Sequence, residues 1–326
     1  MINCNKQRGV VLITVIFIVA VVAIIAVNLM SDVVKQVRRT QYNQIQGQGM
    51  NYLYGVESWA IARLMQDRNN DKNNGAIDYA GEIWNSKIEL AVIQNKVNIN
   101  ANMHDVQAKF NLNNLAQLDA GSSSKTAYYQ AQVQYLQRML STLEIDTKLA
   151  NAIIDWLDSD TVVRLPGGAE DSTYLSKPIP YRTANTAFSS LLELKLVNGV
   201  TPEIFEKLKD HLTVLPQTTP INVNTADAIV LRSLSPLLNS DMIDSIIERR
   251  TKKPFKTTKE FMDYVLAMSK QKTIQPKELG QLISVSTRYF ECQSNVIMPK
   301  GVFNFRSIIK RDADKISVVA RVRGLN

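Results

Sequence analysis

From Val10 to Val27 no charged residue interrupts the chain, and Thr14 is the only clearly polar member of the run. Asn28-Leu29-Met30 carries it further. A stretch of about 18 or more apolar residues crosses a bilayer as a helix. Beyond it Val34, Val37, Tyr42, Ile45, Leu53, Val56, Trp59, Ala60 and Leu64 recur at near-helical spacing, with a slip around Gln41. The pattern predicts one amphipathic helix continuing to about Gln66. "DRNNDKNNGAIDYAGEIWN" then reads as a polar loop. Alternation at Ile88, Leu90, Val92 and at Val97, Ile99 predicts two strands joined by "QNK", with a third short strand in "DVQAKFNLN". Near the C-terminus, "TRYFECQSNVIMP", "GVFNFRSIIKRD" and "KISVVARVRG" read as strands, with a turn at "RDADK". Between about Ser122 and Leu282 the period changes to that of short amphipathic helices. The economical topology is one antiparallel sheet built from both flanks (about 87–114 and 284–325), packed on the long helix, with an all-α domain inserted into it.

Lys6 and Arg8 stand just before Gly9 and the apolar run. A secretory signal expects a shorter apolar stretch and a small-residue cleavage site beyond it; the length here does not fit that reading. A retained single-pass anchor fits, with the basic end cytoplasmic and the bulk of the chain outside. The charged leader ending in Gly, directly followed by the helix, also resembles the prepilin leader of type IV pilins and type II secretion pseudopilins. That resemblance implies cleavage by a prepilin peptidase between Gly9 and Val10, and methylation of the new N-terminus. The retained helix would serve as anchor and then as filament-core element. The fifth position of the mature chain, usually Glu in those proteins, is Thr14 here.

Composition adds exclusions. The formal net charge is +8 with the basic residues scattered, so a solvated surface explains it better than a nucleic-acid footprint. Two cysteines, Cys4 and Cys292, and two histidines, His104 and His211, exclude a disulfide scaffold and a Cys4 or Cys2His2 zinc site. Cys4 would leave with the leader, and Cys292 reads as a buried thiol. No G-x-S-x-G supports a hydrolytic triad.

Two constellations could carry chemistry. In "DWLDSDTVVRLPGGAEDSTYL", Asp155 and Asp158 share a helix face, Asp160 follows in a loop, Gly167-Gly168 permits a sharp turn, and Glu170 and Asp171 return. Oxygen-only ligands suit Ca²⁺. A solvated acidic loop balanced by Arg164 and, further off, a catalytic carboxylate pair in a hydrolase are the other readings. Two helix-turn-helix units at 188–214 and 221–263 resemble helix-hairpin-helix domains that bind DNA nonspecifically. The second hairpin, "SPLLNS", lacks the glycine such a phosphate site needs. The first keeps Gly199 but is followed by Glu203 and Glu206. A membrane-anchored DNA-uptake protein is therefore the alternative reading, and no nucleic acid is expected.

Taken together, "KFNLNNL", "AIIDWLDSD", "PGGAEDSTYL", "PYRTANTAFSSLLELKLVNGVTPEIFEKLKDHLTVLP" and "INVNTADAIVLRSL" resemble, in order, the minor pseudopilin K family of the type II secretion system. The resemblance implies an α+β, pilin-like fold: a long N-terminal helix on an antiparallel sheet with a large inserted α-domain of helix-hairpin-helix, SAM-like type. The expected layout is a leader at 1–9, a membrane or filament-core helix at 10–30, a pilin-like helix and first strands at 31–121, the insertion at 122–283 and closing strands at 284–326. It implies Ca²⁺ held in the region of Asp155, Asp158, Asp160, Glu170 and Asp171, and no catalysis. The implied partners are the minor pseudopilins I and J at a pseudopilus tip, where a subunit without the usual Glu fits. The major pseudopilin, the outer-membrane channel and secreted cargo are further partners it implies. The implied location is the inner membrane, with one span and most of the chain in the periplasm.

Overall fold

The computed structural model describes residues 8–74, 76–92, 96–116, 123–269 and 276–324. The first element, α1 (Arg8–Asn74), is a continuous helix of 67 residues, about 100 Å at 1.5 Å per residue. From Val10 to Gln44 its side chains are exposed; burial starts at Ile45 and Gly49. Its polar end runs past Gln66, where the sequence predicts a loop. Neither Gly nor Pro stands between Gln66 and Gly75, and Asp67 is buried against the sheet, so a tertiary contact extends the helix.

Next come β1 (Ile88–Val92), β2 (Val97–Asp105) and the two-residue β3 (Phe110–Asn111). The helical insertion holds α2 (Ser123–Thr142), α3 (Leu149–Leu157), α4 (Asp171–Leu175) and α5 (Pro202–Leu208). Two short strands follow, β4 (Leu212–Thr213) and β5 (Ile221–Asn222), and then α6 (Ala228–Ser233), α7 (Ser240–Lys252), α8 (Thr258–Met268) and α9 (Pro276–Leu282). The chain closes with β6 (Ile283–Ser284), β7 (Tyr289–Met298), β8 (Gly301–Arg311) and β9 (Ile316–Arg323).

The main sheet has the order β1-β2-β7-β8-β9 and is antiparallel throughout. One face packs on α1. Leu53, Val56, Ala60 and Leu64, three or four residues apart, meet Val97, Ile99, Met103, Phe290, Cys292, Val296 and Ile309 in one core. Two-residue alternation in β2 sends the asparagines Asn98, Asn100 and Asn102 to the other face. The expected third sheet strand over 105–113 is not there. Asp105 and Asn111 cap 3₁₀ turns, accepting the N–H groups of Gln107 and Asn113, and β3 pairs in parallel with β4 instead. Phe110, Leu112 and Leu115 are buried in the core of the helical insertion, with Phe110 stacked on Tyr135 at 4.8 Å.

Buried asparagines clamp the insertion. Asn113 donates to the carbonyls of Phe188 and Leu215 and accepts from Phe188 N–H. Asn114 exchanges both bonds with Thr219, and Asn224 with Phe255. An amide side chain offers donors and an acceptor at one end, so each replaces a missing ladder pair. This is the physical content of the "NLNN" and "INVN" stretches.

A polar joint ties insertion to sheet. Arg311, at the end of β8, donates to Asp67 of α1 at 2.5 Å, to both oxygens of Asp78 at 2.6 Å and to the Thr287 carbonyl. Asp71 lies 3.7 Å from the same guanidinium. On the insertion side, Asn222 donates to the Asp78 carbonyl and to Asp105 at 2.8 Å, and Thr225 donates to Asp105 as well.

Candidate metal centre

The acidic loop is built on the end of α3, whose residues are almost all buried. Asp155 lies in its last turn and Asp158 caps it, with the Asp158 N–H on the Ile154 carbonyl at 2.9 Å. The chain leaves, loops through Asp160, and comes back so that Glu170 precedes α4. Two glycines make the return possible. Gly167 holds φ at +87°, and a Cβ on Gly168 would stand 2.3 Å from both the Arg164 carbonyl and the Asp155 Oδ2 atom.

Asp158, Asp160 and Glu170 converge, each with a carboxylate oxygen within 4.8 Å of the others. Asp158 and Glu170 are buried and Asp160 is exposed. Asp155 adjoins them through Arg164, whose Nε lies 3.5 Å from Asp155 and whose Nη2 lies 3.0 Å from Asp158. Asp171 is turned to other work. Its Oδ1 accepts from the Thr183 N–H and hydroxyl, and its Oδ2 pairs with Arg182 at 3.2 Å.

One guanidinium does not balance this cluster. Asp155 Oδ1, Asp158 Oδ1 and both oxygens of Glu170 are buried without a hydrogen-bond partner. Buried polar atoms are normally satisfied, and an orphaned carboxylate is costly. Burial, reinforced by Asp155, Asp158, Asp160 and Asp171, pushes the Glu170 carboxyl up to about 7. Burial also raises Asp155 and Asp158 above the usual carboxylate range. Oxygen donors alone, in excess negative charge, fit a hard cation of the Ca²⁺ type.

The helix N-termini of the hairpin units are already capped by side chains and flanked by carboxylates. The N-terminus of α7 is capped by Asn239 on the Met242 N–H at 2.9 Å, with Asp241 in its first turn. That of α5 is capped by Thr201, with Glu203 beside it. Two arginines of the second unit are spent internally. Arg249 pairs with Glu260 at 2.5 Å, and Arg250 donates to the Val223 carbonyl at 2.8 Å.

Gly9 and Val10 both lie within α1, while residues 1–7 of the expected leader are outside the described residues. The Thr14 hydroxyl donates to the Val11 carbonyl at 2.9 Å, so it is satisfied within its own helix. Cys292 is buried in the core between sheet and α1, and burial, helped by Glu57 and Glu291, pushes its thiol up to about 12, which makes it inert. The joint around Arg311 had no signal in the sequence. Its members are separated by up to 244 residues.

A helix of membrane-spanning length, an antiparallel sheet laid on its second half and an α-domain inserted between strands define a protein of the minor pseudopilin class. Two family profiles, both described as type II secretion system (T2SS), protein K, match residues 108–217 and 221–286. A type II secretion system protein K of Pseudomonas aeruginosa is 29% identical over 98% of this chain and 93% of its own. Another, from Pectobacterium carotovorum subsp. carotovorum, is 27% identical over 98% and 97%. A chain of the crystal structure of the GspK-GspI-GspJ complex from enterotoxigenic Escherichia coli superposes with a TM-score of 0.74 at 25% identity, covering 88% of this chain and all of that one. The chain belongs to the type II secretion system protein K family. It is a minor pseudopilin.

Proposed function

We propose that this chain is the tip subunit of a type II pseudopilus, assembling with minor pseudopilins I and J and initiating or capping the filament for export of folded proteins. The observation that carries the reading is the likeness, over 88% of the chain, to a chain of a complex named for K, I and J. Two features support it. The helical insertion adds a bulky body beside the sheet, which fits an end better than a shaft. Thr14 offers the subunit above no carboxylate for its N-terminal amine, so a place with nothing above it suits this chain. In this reading Val10–Met30 crosses the inner membrane, the rest is periplasmic, and cleavage at Gly9–Val10, with methylation, readies the helix for assembly. The role is structural, without catalysis. The major pseudopilin, the outer-membrane channel and cargo are the further contacts to seek.

Ca²⁺ belongs to the same proposal. Asp158, Asp160 and Glu170, with Asp155 beside them, would hold the ion, and Asp171 would only anchor the loop to Thr183. The ion would supply the positive charge that Arg164 alone does not, fastening the end of α3 to the start of α4. The test is a titration of residues 36–326, which keep every contact of α1 with the sheet, against the soluble regions of I and J, in calcium and in chelator. A stable ternary complex is expected, tighter in calcium. Absence of a complex in both conditions sinks the assembly reading.

A further inference from the structure

The stretch of α1 between the span and the globular body has a charged face that none of the other described elements contacts. The apolar span Val10–Met30 is about 31 Å long as a helix, which matches a hydrocarbon core of about 30 Å. Three basic residues follow within about two turns: Lys35, Arg38 and Arg39. At 100° per residue they fall, with Tyr42, inside an arc of about 100°. Met30, Val33 and Val37 fall on the opposite side, with Val34 at its edge, so the helix turns amphipathic as it leaves the span. All these side chains are exposed.

Charge on that face is unbalanced. Lys35 is paired with Asp32 at 3.2 Å. Neither Arg38 nor Arg39 has a hydrogen bond or ion pair among the described residues, and no carboxylate other than Asp32 lies on α1 between the span and Glu57. Their height matches headgroups. The Cα atoms of Lys35, Arg38 and Arg39 lie about 7, 12 and 13 Å beyond Met30 along the helix. Helical side chains tilt toward the N-terminus, here toward the membrane, and a long basic side chain places its charge several ångströms back. That brings the guanidinium groups to the interfacial zone, which extends roughly 5–7 Å beyond the hydrocarbon.

We infer that Arg38 and Arg39, assisted by Lys35, form a binding face for anionic phospholipid headgroups in the leaflet at the C-terminal end of the span. Guanidinium forks suit phosphate geometry. The contact sets the depth and rotation of the anchor and leaves the valine stripe facing away for neighbouring helices. Loss of Lys6 and Arg8 with the leader would make this the main electrostatic hold on the membrane. Drawing the subunit into a filament then requires those headgroups to be released. The inference rests on the membrane-spanning reading of Val10–Met30.

The test reconstitutes the full chain into vesicles of phosphatidylcholine and phosphatidylglycerol. Spin-labelled versions of each lipid measure the fraction immobilised at the protein. At about 1 kcal/mol per basic residue near an anionic surface, each arginine contributes about a fivefold preference. With two arginines the wild-type chain should select phosphatidylglycerol by up to about 25-fold. R38Q/R39Q should lose most of that preference, and K6Q/R8Q should keep most of it. High salt should weaken it. Gln preserves helix propensity, and these positions touch nothing in the body, so the variant folds; circular dichroism checks this. Equal immobilisation of both lipids by the wild type, or a preference unchanged in R38Q/R39Q, overturns the inference. If the arginines prove necessary only for binding other pseudopilins, the face belongs to a protein partner and the inference also falls. A chain that fails to float with vesicles at all overturns the membrane reading beneath it.

Discussion

Two acidic clusters in this molecule have similar composition and opposite outcomes. At the joint, Asp67, Asp71 and Asp78 gather around Arg311, and no carboxylate oxygen there is buried without a partner among the described residues. In the loop, Asp158, Asp160 and Glu170 converge while Arg164 pairs with Asp155 and Asp158, and four carboxylate oxygens are buried without a hydrogen bond. The difference lies in reach and in neighbours. Arg311, the last residue of β8, is buried against α1, and the Thr287 N–H completes the satisfaction of the Asp78 carboxylate, while Val285 and Asn222 fix the Asp78 backbone. Arg164 is on the loop itself, about a third exposed, and no backbone N–H turns toward Glu170. A cluster closed by protein groups is part of the fold. A cluster left open is the one that the proposed cation would close.

The largest test of that contrast removes the cations. R311M should destabilise the full chain in detergent by about 3–5 kcal/mol in denaturant titrations, because it strands buried carboxylates. Calcium should not restore it. R164M should be milder, and calcium should compensate it. Equal losses for both, indifferent to calcium, would show that the two clusters do not differ.

Calcium removal is the next effect in size. At a hundred times its dissociation constant, Ca²⁺ should stabilise the insertion by about 2.7 kcal/mol over chelator. E170Q should abolish most of that gain. D171A should lower the melting temperature slightly through its lost bonds to Thr183 and leave the calcium midpoint within about twofold. A melting temperature unmoved by chelator in the wild type contradicts the open-cluster account.

A further effect is pH, at the joint. Burial, against the opposing pull of Arg311, holds Asp67 and Asp71 at about 6, and burial holds Glu82 at about 8. These folded-state values lie above the unfolded ones, so the folded protein keeps protons that the unfolded chain has released. The contribution is complete below about pH 4 and is lost as pH rises through 6 and toward 8. The Trp84 indole donates to Glu82 at 2.8 Å, so its emission reports on this region. The emission-detected melting temperature should fall between pH 5 and pH 8, and D71N should flatten the slope. A midpoint that rises over that range would refute the assignment.

Much of this was legible beforehand where the signal is local. The charge-free run, the period change near residue 122 and the alternation in β1, β2, β7, β8 and β9 each lie within a short window. The density of carboxylates around Gly167-Gly168 also marked the candidate site. Helix α1 outran its expected end because Arg311 holds Asp67 from across the molecule. "KFN" alternates like a sheet strand, but which partner it joins depended on β4, a hundred residues away. Asp171 reads like its acidic neighbours, and only the return of Thr183 showed that its oxygens are taken.

The sequence alone determined most of the elements, the membrane-length helix and the acidic loop, because hydrophobic period, chain length and turn chemistry act over a few residues. Tertiary structure alone decided which charges are paired. Coulomb and hydrogen-bond energies depend on distance in space, and folding brings together groups that the chain keeps far apart: Arg311 with Asp67, Asn222 with Asp78, and an Asp158–Glu170 cluster that lacks the cation to balance it.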